Sequence, residues 1–299
     1  MTQGQLGQAA EPCYGEPWDR RIAGIVLNYR HIFHAGNFAD LVKHACLMAV
    51  LNRLTHARCR LEVIDTHAGA GVYDLSSAEA VRSGEAPAGV GRLLADPEAP
   101  AVFDTLKAEI AKLNPSGEMR WYPGSPLLIA NALRKDDGLT ACELRPDDAA
   151  ALGRLLNRPQ VRVLAADGYE AAAGGAGRHG ANLVLIDPPF ERGDEYARVL
   201  ECVDRMQQRN ASAVVMVWLP LKDLETFDGF LRGLEAMGRS GALVVEARLR
   251  RLDNPLRLNG CALAVINDPP RTEQDAADAC EWVVETLGEA GGAARTWRL

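Results

Sequence analysis

LEVIDTHAGAG, residues 61–71, joins a short apolar run directly to a glycine turn. The run LEVID has the near-continuous apolar character of a strand that is buried on both faces of a parallel sheet. Gly69 and Gly71 lack a Cβ atom, so the backbone of the turn can approach a ligand closely. Asp65 ends the strand and is expected to face the ligand crevice, where its negative charge suits a cationic ligand better than a phosphate. An ordinary tight turn is the alternative for this glycine pattern.

Six further short apolar runs follow, separated by helical or turn-rich stretches. Together with LEVID they predict an α/β fold with a mostly parallel, seven-stranded sheet covered on both faces. The six runs are LTACEL (139–144), VRVLAADG (161–168), NLVLIDPP (182–189), AVVMVWLP (213–220), ALVVEARLRR (242–251) and CALAVINDPP (261–270). The last two are joined by a short connection with Asn, Pro and Gly, so we expect a hairpin that closes one edge of the sheet. Helical spacing of apolar residues over about 38–54 predicts a helix capped by Asn37.

The chain is expected to form one domain over residues 27–299. Residues 1–26 are rich in Gln, Gly, Ala and Pro without lasting periodicity, and are expected to be a disordered leader. In a dinucleotide-type fold an acidic strand end follows the glycine turn by about 20 residues, whereas Glu143 lies about 70 residues after Gly71. We therefore predict a mostly helical insertion at about residues 76–119.

The composition excludes several classes of protein. A formal net charge of −7 argues against indiscriminate coating of nucleic acid, because nonspecific affinity comes from neutralising phosphates, so any such partner must be held by a local basic patch. No apolar run approaches the roughly 18 residues of a membrane span and no signal-peptide pattern opens the chain, so a cytoplasmic protein is expected. The scattered cysteines contain no CxxC pair and are expected to be buried free thiols. No spacing matches a metal site, and no GxSxG elbow indicates a hydrolase.

Two acidic residues are expected to end the next two strands at the same edge of the predicted sheet. Glu143 ends the second strand, where a carboxylate can accept both hydroxyls of a ribose, and Asp167 ends the third, where it can take an adenine amino proton. Either residue alone is explained as well by a solvated strand end. Their order after the glycine turn favours a ligand site at the carboxyl ends of the strands.

The strongest local signal is Asp187-Pro188-Pro189-Phe190, directly after the buried run NLVLI. Two prolines cannot continue a sheet ladder, so the chain must leave the sheet in a rigid turn. That turn would hold the Asp187 carboxylate and the Pro188 carbonyl as fixed acceptors for the two hydrogens of an exocyclic amine, with Phe190 as a stacking face. Two acceptors make the delocalised lone pair of such an amine more available to an electrophilic methyl group. A purely structural turn with a capped carboxylate is the alternative.

Such chemistry requires an unpaired base, since in a duplex the amine is hydrogen-bonded and stacked. Tyr29, Arg30, His31 and His34 form an aromatic and basic cluster before the first helix, and stacking together with phosphate contacts is how unpaired RNA is gripped. A solvated arm with a packed tyrosine is the alternative. A second basic group brackets the predicted hairpin and would add positive surface, or protect an edge strand from aggregation. Its members are Arg248, Arg250, Arg251 and Arg257.

In combination these motifs resemble the bacterial RlmJ family, which methylates N6 of one adenine in 23S ribosomal RNA. The resemblance covers about residues 27–299. It rests on NYRHIFHAGNFADLVKH (28–44), DTHAGAG (65–71), WYPGSP (121–126), ACEL (141–144), ADGY (166–169) and LIDPPF (185–190). It implies a Rossmann-like class I methyltransferase fold with a small helical insertion, S-adenosylmethionine as cofactor, and an unpaired or flipped adenine of 23S rRNA as substrate. We expect a monomer with no metal.

The resemblance also implies roles for individual residues. Beside Asp65, Gly69 and Gly71, it places six residues in the cofactor site: His44, His67, Ser125, Glu143, Asp167 and Gly168. Asp187 is the implied catalytic residue. Tyr29 and Lys43 match family positions near the substrate adenine, and Arg30 joins them from the aromatic and basic cluster. The fourth residue of the tetrad is often Tyr and is Phe190 here, so stacking is retained but a phenolic hydrogen bond is not.

Other readings of the sequence remain open. The Asp-Pro-Pro-Phe arrangement presents acceptors to any exocyclic amine, so DNA adenine and guanine N2 of ribosomal RNA are alternative targets. A nucleic-acid-binding or DNA-uptake accessory protein with a vestigial cofactor fold is an alternative from a different class. Binding of S-adenosylmethionine separates this last alternative from an enzyme.

Overall fold

The computed structural model describes residues 29–175, 181–239 and 241–299, and the leader expected at residues 1–26 lies outside them. The strands in these ranges are β1 (Leu61–Asp65), β2 (Val72–Asp74), β3 (Trp121–Pro123), β4 (Gly138–Cys142), β5 (Val161–Leu164), β6 (Ala181–Ile186), β7 (Val214–Leu221), β8 (Leu243–Arg248), β9 (Gly260–Ile266) and β10 (Ala293–Arg298). The α-helices are α1 (Phe38–His56), α2 (Ala78–Ser83), α3 (Glu85–Ala88), α4 (Val90–Ala95), α5 (Asp104–Leu113), α6 (Ser125–Ala132), α7 (Pro146–Leu155), α8 (Gly168–Gly175), α9 (Glu195–Arg209), α10 (Leu224–Ala236) and α11 (Thr272–Leu287).

Eight of the strands form one sheet in the order β10-β8-β9-β7-β6-β1-β4-β5. The strands from β7 to β5 pair in parallel, whereas β9, β8 and β10 add to the other side of β7 in antiparallel pairs. The predicted α/β class with a mostly parallel sheet is therefore confirmed, with eight strands in place of seven.

The additional strand is β10, AARTWR, which pairs with β8 at the edge of the sheet. Its residues are partly or fully exposed and two of them are arginines, so it has no apolar run from which a strand could be predicted. The expected pairing of the runs 242–251 and 261–270 is confirmed by β8 and β9. Their expected place at the edge is wrong, because β9 lies between β7 and β8, and β10 covers the outer side of β8.

Helices cover both faces of the sheet, which explains why β6 and β7 are apolar at nearly every position. One face carries α1, α6 and α11, and the other carries α8, α9 and α10. The predicted cap of α1 is confirmed, since the Asn37 side chain accepts a hydrogen bond from the Asp40 N–H at 2.9 Å. The first two turns of α1 reach the carboxyl end of β6 through Lys43, and this positions the helix at the site described below.

Between β2 and β3, which pair with each other, the chain forms α2 to α5. These helices occupy much of the segment 76–119 that the sequence predicts as a helical insertion. They pack on the start of α1: the Val90 N–H donates to the Gly36 carbonyl at 2.8 Å, and a Cβ atom at Gly89 would lie 2.2 Å from that oxygen. The absence of a side chain at Gly89 permits this approach, which fixes the insertion beside residues 29–37.

Candidate active site

A cavity of about 880 Å³ opens where β1, β4 and β6 end. It is lined by the turns after these strands, by residues 29–34, by the first turns of α1 and by part of the segment between β8 and β9. Most residues predicted for cofactor, catalysis or substrate lie in this lining. They are Tyr29, Arg30, Lys43, His44, His67, Gly69, Ser125, Glu143, Asp187, Pro188, Pro189 and Phe190. The predicted residues outside the lining are Asp65, Gly71, Asp167 and Gly168.

The turn Asp187–Phe190 begins where β6 ends at Ile186 and lines the cavity along its whole length. Phe190 has a backbone φ of 50°, a left-handed conformation that is unfavourable for a bulky residue. Its ring packs against those of Tyr196 and Trp218, with centroid distances of 4.8 and 6.0 Å. The strained backbone therefore holds the Phe190 ring beside Trp218 at the cavity. Trp218 was not among the sequence-based candidates, although it is an aromatic residue near the carboxyl end of a buried strand.

A buried lysine joins α1 to this turn. Lys43 Nζ donates to Asp187 Oδ2 at 2.6 Å and lies 2.9 Å from Asp40 Oδ1. Burial lowers the pKa of a lysine, but the two carboxylates outweigh burial here and raise the pKa of Lys43 well above its ordinary value. Lys43 is therefore a cation at neutral pH. Because this ion pair uses Oδ2 of Asp187, Oδ1 can accept a hydrogen bond from a ligand.

Asp40 lies at the centre of this cluster and is absent from the sequence-based candidates. Its carboxylate is 2% exposed, and it accepts hydrogen bonds from His31 Nε2 at 3.0 Å and from the Gly36 N–H at 2.9 Å. Burial raises the pKa of a carboxyl group, but the neighbouring His31 and Lys43 lower the pKa of Asp40 well below its ordinary value. One sequence signal was available: Asp40, Lys43 and His44 have i, i+3 and i+4 spacing, which places them on one face of a helix.

Two histidines line the cavity as neutral groups. Burial lowers the pKa of His44 to about 3 and the pKa of His67 to about 4. His44 Nδ1 lies 2.9 Å from the Tyr122 hydroxyl, and its Nε2 has no hydrogen-bond partner within the described ranges. His67 Nδ1 lies 2.7 Å from Thr66 Oγ1. At neutral pH both residues present uncharged imidazoles to a ligand.

Asp65 ends β1, but its side chain lies behind the cavity lining and does not face the crevice as expected. The carboxylate is fully buried, and its Oδ2 accepts a hydrogen bond from Ser125 Oγ at 2.7 Å. Its Oδ1 has no hydrogen-bond partner in the part of the chain that the structure describes. Burial raises the pKa of Asp65 to about 7. Ser125 lines the cavity and connects this acid to it, and an unsatisfied buried oxygen indicates a place for a ligand group or a water molecule.

Glu143 lies one residue beyond β4 and holds the glycine turn. Its Oε2 accepts from the Gly69 N–H at 2.9 Å and its Oε1 from the Arg145 N–H at 2.7 Å. Burial raises the pKa of Glu143. Gly69 and Gly71 have φ angles of 61° and 84°, which favour glycine. Gly71 lies outside the lining, where a Cβ atom would meet Leu152 at 2.7 Å. Each oxygen of Glu143 keeps a second lone pair, so the carboxylate can still accept from ligand hydroxyls.

Asp167 and Gly168 make contacts that the sequence did not predict. β5 ends at Leu164, so Asp167 lies at the start of α8 and not at the strand end. Its Oδ2 accepts from Arg198 at 2.6 Å, which ties α8 to α9. At Gly168 a Cβ atom would lie 1.9 Å from the Thr66 carbonyl oxygen. Gly168 therefore lets α8 approach the turn after β1, and Asp167 fixes the start of α8.

The segment before α1, residues 29–37, is held by the helical insertion. The Tyr29 and His34 rings stack with their centroids 5.5 Å apart and 12° between their planes. His34 Nδ1 lies 3.0 Å from Glu85 Oε1, and this hydrogen bond raises the pKa of His34. Arg30 lies at the cavity rim, 3.4 Å from Glu79. Through these contacts α2 and α3 fix Tyr29 at the cavity.

The basic group around β8 and β9 is only partly available to a partner. Arg248 pairs with the buried Glu246, and Arg250 pairs with Glu289 at 2.7 Å. These two arginines are thus neutralised within the fold, so the positive surface is smaller than the sequence predicts. The exposed members are Arg251 and Arg257.

Other expectations concern cysteines, metals and membranes. Among the cysteines in the described residues, Cys59 is exposed in the turn before β1, contrary to expectation, and the other five are buried free thiols. Throughout those same residues, no group of three or more His, Cys, Asp or Glu side chains is arranged to hold a metal ion. Likewise, none of the helices described is long and apolar enough to cross a membrane.

Comparison with known proteins finds a matching family model, two relatives and a similar crystal structure. The family model "Ribosomal RNA large subunit methyltransferase D, RlmJ" matches residues 59–299. Two relatives, one from Escherichia coli K12 and one from Haemophilus influenzae Rd, are both named "Ribosomal RNA large subunit methyltransferase J". The chain is 33% identical to the first over 270 residues and to the second over 269 residues. Each match covers 89% of this chain and 96% of the relative. The crystal structure of a Legionella pneumophila protein is similar with a TM-score of 0.82 and 27% identity, over 89% of this chain and 98% of that one.

Proposed function

Because the chain belongs to the RlmJ family of ribosomal RNA large subunit methyltransferases, we propose that it transfers a methyl group from S-adenosylmethionine to N6 of an adenine in 23S ribosomal RNA. Membership of this family identifies the chain as a ribosomal RNA methyltransferase. The identities of the cofactor, the base and the modified atom are what we propose. One observation carries it: Asp187 and Glu143 line the same cavity, so an acceptor for an amine and an acceptor for ribose hydroxyls face one space.

The residues around the cavity suit S-adenosylmethionine, which supplies an electrophilic methyl group when bound. Glu143 retains lone pairs for the two ribose hydroxyls. Asp65 Oδ1 lacks a partner among the residues that the structure describes, and the neutral His44 and His67 add no positive charge near a sulfonium. We assign to the cofactor His44, His67, Gly69, Ser125 and Glu143, which line the cavity, and Asp65, which acts from behind Ser125. The supporting residues behind this site are Gly71, Asp167 and Gly168.

Asp187 is proposed to accept a hydrogen bond from the target amine through Oδ1, since Lys43 binds Oδ2 at 2.6 Å. The Pro188 carbonyl supplies the second acceptor, so both hydrogens of the amine are held. This orients the nitrogen and makes its lone pair more available. The nitrogen would form its new bond to the methyl carbon as the bond from that carbon to the sulfonium sulfur breaks and the neutral thioether leaves, and the positive nitrogen would then release a proton towards Asp187 Oδ1. Lys43 keeps the carboxylate in one orientation throughout.

The base itself is proposed to stack on Phe190, whose ring is held by its left-handed backbone and by Trp218. Stacking on an aromatic face is the usual way in which an unpaired base is bound. Tyr29 and Arg30 lie at the same cavity and are assigned to the substrate side. Pro189 completes the rigid turn between Asp187 and Phe190 and prevents the chain from continuing the sheet.

Asp187→Asn tests this proposal. The amide loses the negative charge that faces the amine, so kcat for N6-methyladenosine should fall by about 10²–10³-fold, the usual loss when one preorganised charge-stabilising group is removed. The dissociation constant for S-adenosylmethionine should change less than about threefold, because Asp187 is not assigned to the cofactor. Activity is measured with labelled cofactor and unmodified 23S rRNA, followed by digestion to nucleosides; calorimetry measures cofactor binding.

Asp194→Asn is the matched control, since Asp194 is an exposed acid paired with Arg192 just after the same turn. It should leave both quantities unchanged. Label in N2-methylguanosine, or in DNA but not RNA, would reject adenine N6 of rRNA as the target. No heat with S-adenosylmethionine would reject the cofactor and favour a nucleic-acid-binding protein.

A further inference from the structure

The segment between β8 and β9 contributes a part of the cavity rim that the proposed chemistry does not use. Residues 251–258 are here called the rim loop. Leu256 and Leu258 line the cavity together with Lys222, which follows β7. The Leu256 side chain is 93% exposed, whereas the next most exposed large apolar residue in the described ranges, Val81, is 66% exposed. A leucine with almost no intramolecular contact at the mouth of an active site is positioned to contact a partner.

The rim loop is an ordered turn, held by its own hydrogen bonds. The Leu256 N–H donates to Asn254 Oδ1 at 3.0 Å. Asn259 Nδ2 donates to the Asn254 carbonyl at 2.7 Å and to the Lys222 carbonyl at 3.2 Å. These bonds connect the loop to the end of β7. Because the backbone is fixed before binding, presenting Leu256 to a partner costs little conformational entropy.

Exposed cations lie beside this leucine. Lys222 and Arg257 are both exposed, and neither forms an ion pair with a carboxylate in the described part of the chain. One exposed acid, Asp253, lies in the same loop. Because neither cation is held in an ion pair, both are available to bind the phosphates of a polyanion, although the chain has a net charge of −7.

We propose, on the premise of the function proposed above, that the rim loop docks against an RNA helix next to the target adenine. Leu256 packs against the base step that the extruded adenine leaves, while Lys222 and Arg257 bind adjacent phosphates. An apolar side chain inserted at a base step compensates part of the unstacking energy, which is a few kcal/mol for an extruded base. The surface thus recognises a helical context and not the adenine itself, which the Asp187–Phe190 turn binds.

Leu256→Ala separates these two kinds of recognition. The methylated adenine is first located in 23S rRNA with the wild-type enzyme. Two RNAs are then made, a helical fragment that contains this adenine and the same strand without its complement. Loss of the leucine contact should lower kcat/KM about tenfold on the helical fragment and less than about twofold on the single strand, where no base needs to be extruded. Leu94→Ala is the control, because Leu94 is an exposed leucine in the helical insertion.

An equal loss on both RNAs, or no loss on either, would overturn the wedge role of Leu256. If the wild type forms no N6-methyladenosine in any RNA, the proposed function itself fails, and this outcome is distinct from the previous two. The phosphate contacts are tested separately by binding of the helical fragment at several salt concentrations. Lys222→Ala and Arg257→Ala should each lower the slope of log Kd against log salt by about one, whereas Lys135→Ala, an exposed lysine just before β4, should leave it unchanged. Unchanged slopes in both rim variants would overturn the phosphate contacts.

Discussion

Asp40→Asn perturbs the centre of the charged cluster without changing the size of the side chain. In the wild type the Asp40 carboxylate binds three donors, namely Lys43 Nζ at 2.9 Å, His31 Nε2 at 3.0 Å and the Gly36 N–H at 2.9 Å. The amide retains one acceptor oxygen but removes the charge. Asp187 is then the only carboxylate that pairs with Lys43, and Asp40 no longer fixes the position of the Lys43 ammonium group.

The expected loss of stability follows from these contacts. A hydrogen bond to a charged group contributes about 1.5–3 kcal/mol, and Lys43 keeps one of its two carboxylate partners. The free energy of unfolding at pH 7 should therefore fall by about 2–4 kcal/mol. Because the folded-state pKa of Asp40 lies well below its ordinary 3.8, this contribution is present above that value and is lost as the pH falls through the lowered pKa. The difference between wild type and variant should therefore shrink as the pH falls below 3.8 and through the lowered pKa of Asp40.

The effect on activity separates a positioning role from a purely structural one. A displaced Lys43–Asp187 pair should lower kcat by about 10–100-fold at saturating cofactor, with an unchanged dissociation constant for S-adenosylmethionine. Asp137→Asn is the matched control, because Asp137 is also 2% exposed and accepts from Arg134 and the Leu61 N–H, but lies just before β4 at the opposite end of the strand. The Asp137→Asn variant should have a lower free energy of unfolding than the wild type and an unchanged kcat. Denaturant unfolding and single-turnover kinetics at low temperature, where both variants are folded, measure the two quantities. An Asp40→Asn enzyme with wild-type kcat, or with wild-type stability, would refute the argument.

Two further predictions concern single titratable groups. Burial raises the pKa of Asp65 to about 7, so folding favours the protonated form, and the protein becomes less stable as the pH rises from about 4 towards 7 and Asp65 ionises. Asp65→Asn should therefore raise the free energy of unfolding at pH 8 by about 1–3 kcal/mol and should weaken S-adenosylmethionine binding. A variant that is less stable than the wild type in denaturant titrations would contradict this prediction. The hydrogen bond to Glu85 raises the pKa of His34, so the stabilisation of residues 29–37 by this pair is fully present below the ordinary histidine pKa of 6.5 and is lost as the pH rises through the raised value. Glu85→Gln should therefore flatten the pH dependence of KM for RNA above pH 6.5, whereas Glu118→Gln, at an exposed acid in the insertion, should retain it.

The parallel part of the fold could be predicted from the sequence because its strands are buried on both faces. β1, β6 and β7 are near-continuous apolar runs, and each strand begins within one residue of the predicted run. The family resemblance read from six motifs is confirmed by the family model and the curated relatives. In contrast, β10 has charged residues on an exposed edge, so its pairing with β8 depends on a tertiary contact and not on a local pattern.

The candidate site was predictable where chemistry and backbone geometry coincide. The turn Asp187–Phe190 and the pair Gly69 and Glu143 are both signalled by residues that change the path of the chain. Asp40 could not be singled out in the same way, since an acid in the first turn of a helix is ordinary. Its predicted positioning role depends on the contact of Lys43 with Asp187, and these two residues are 144 positions apart in the chain. Spacing along the sequence does not predict a contact between residues so far apart in the chain.

The charged cluster of Lys43, Asp40 and Asp187 is better suited to the proposed chemistry than to stability. Removing Lys43, Asp40 and Asp187 from water has a desolvation cost that the ion pairs alone seldom recover, and well-packed apolar residues would often be more stable. Fixed charges in a dry site, however, need no reorganisation when positive charge develops on the amine nitrogen. The left-handed backbone of Phe190 is a second local cost at the same turn. Because two independent departures from the most stable arrangement meet where the amine is proposed to bind, replacing Lys43, Asp40 and Asp187 together by apolar residues of similar volume should stabilise the protein and abolish methyl transfer. The single change Asp40→Asn has the opposite effect on stability, because it leaves Lys43 with only one carboxylate partner.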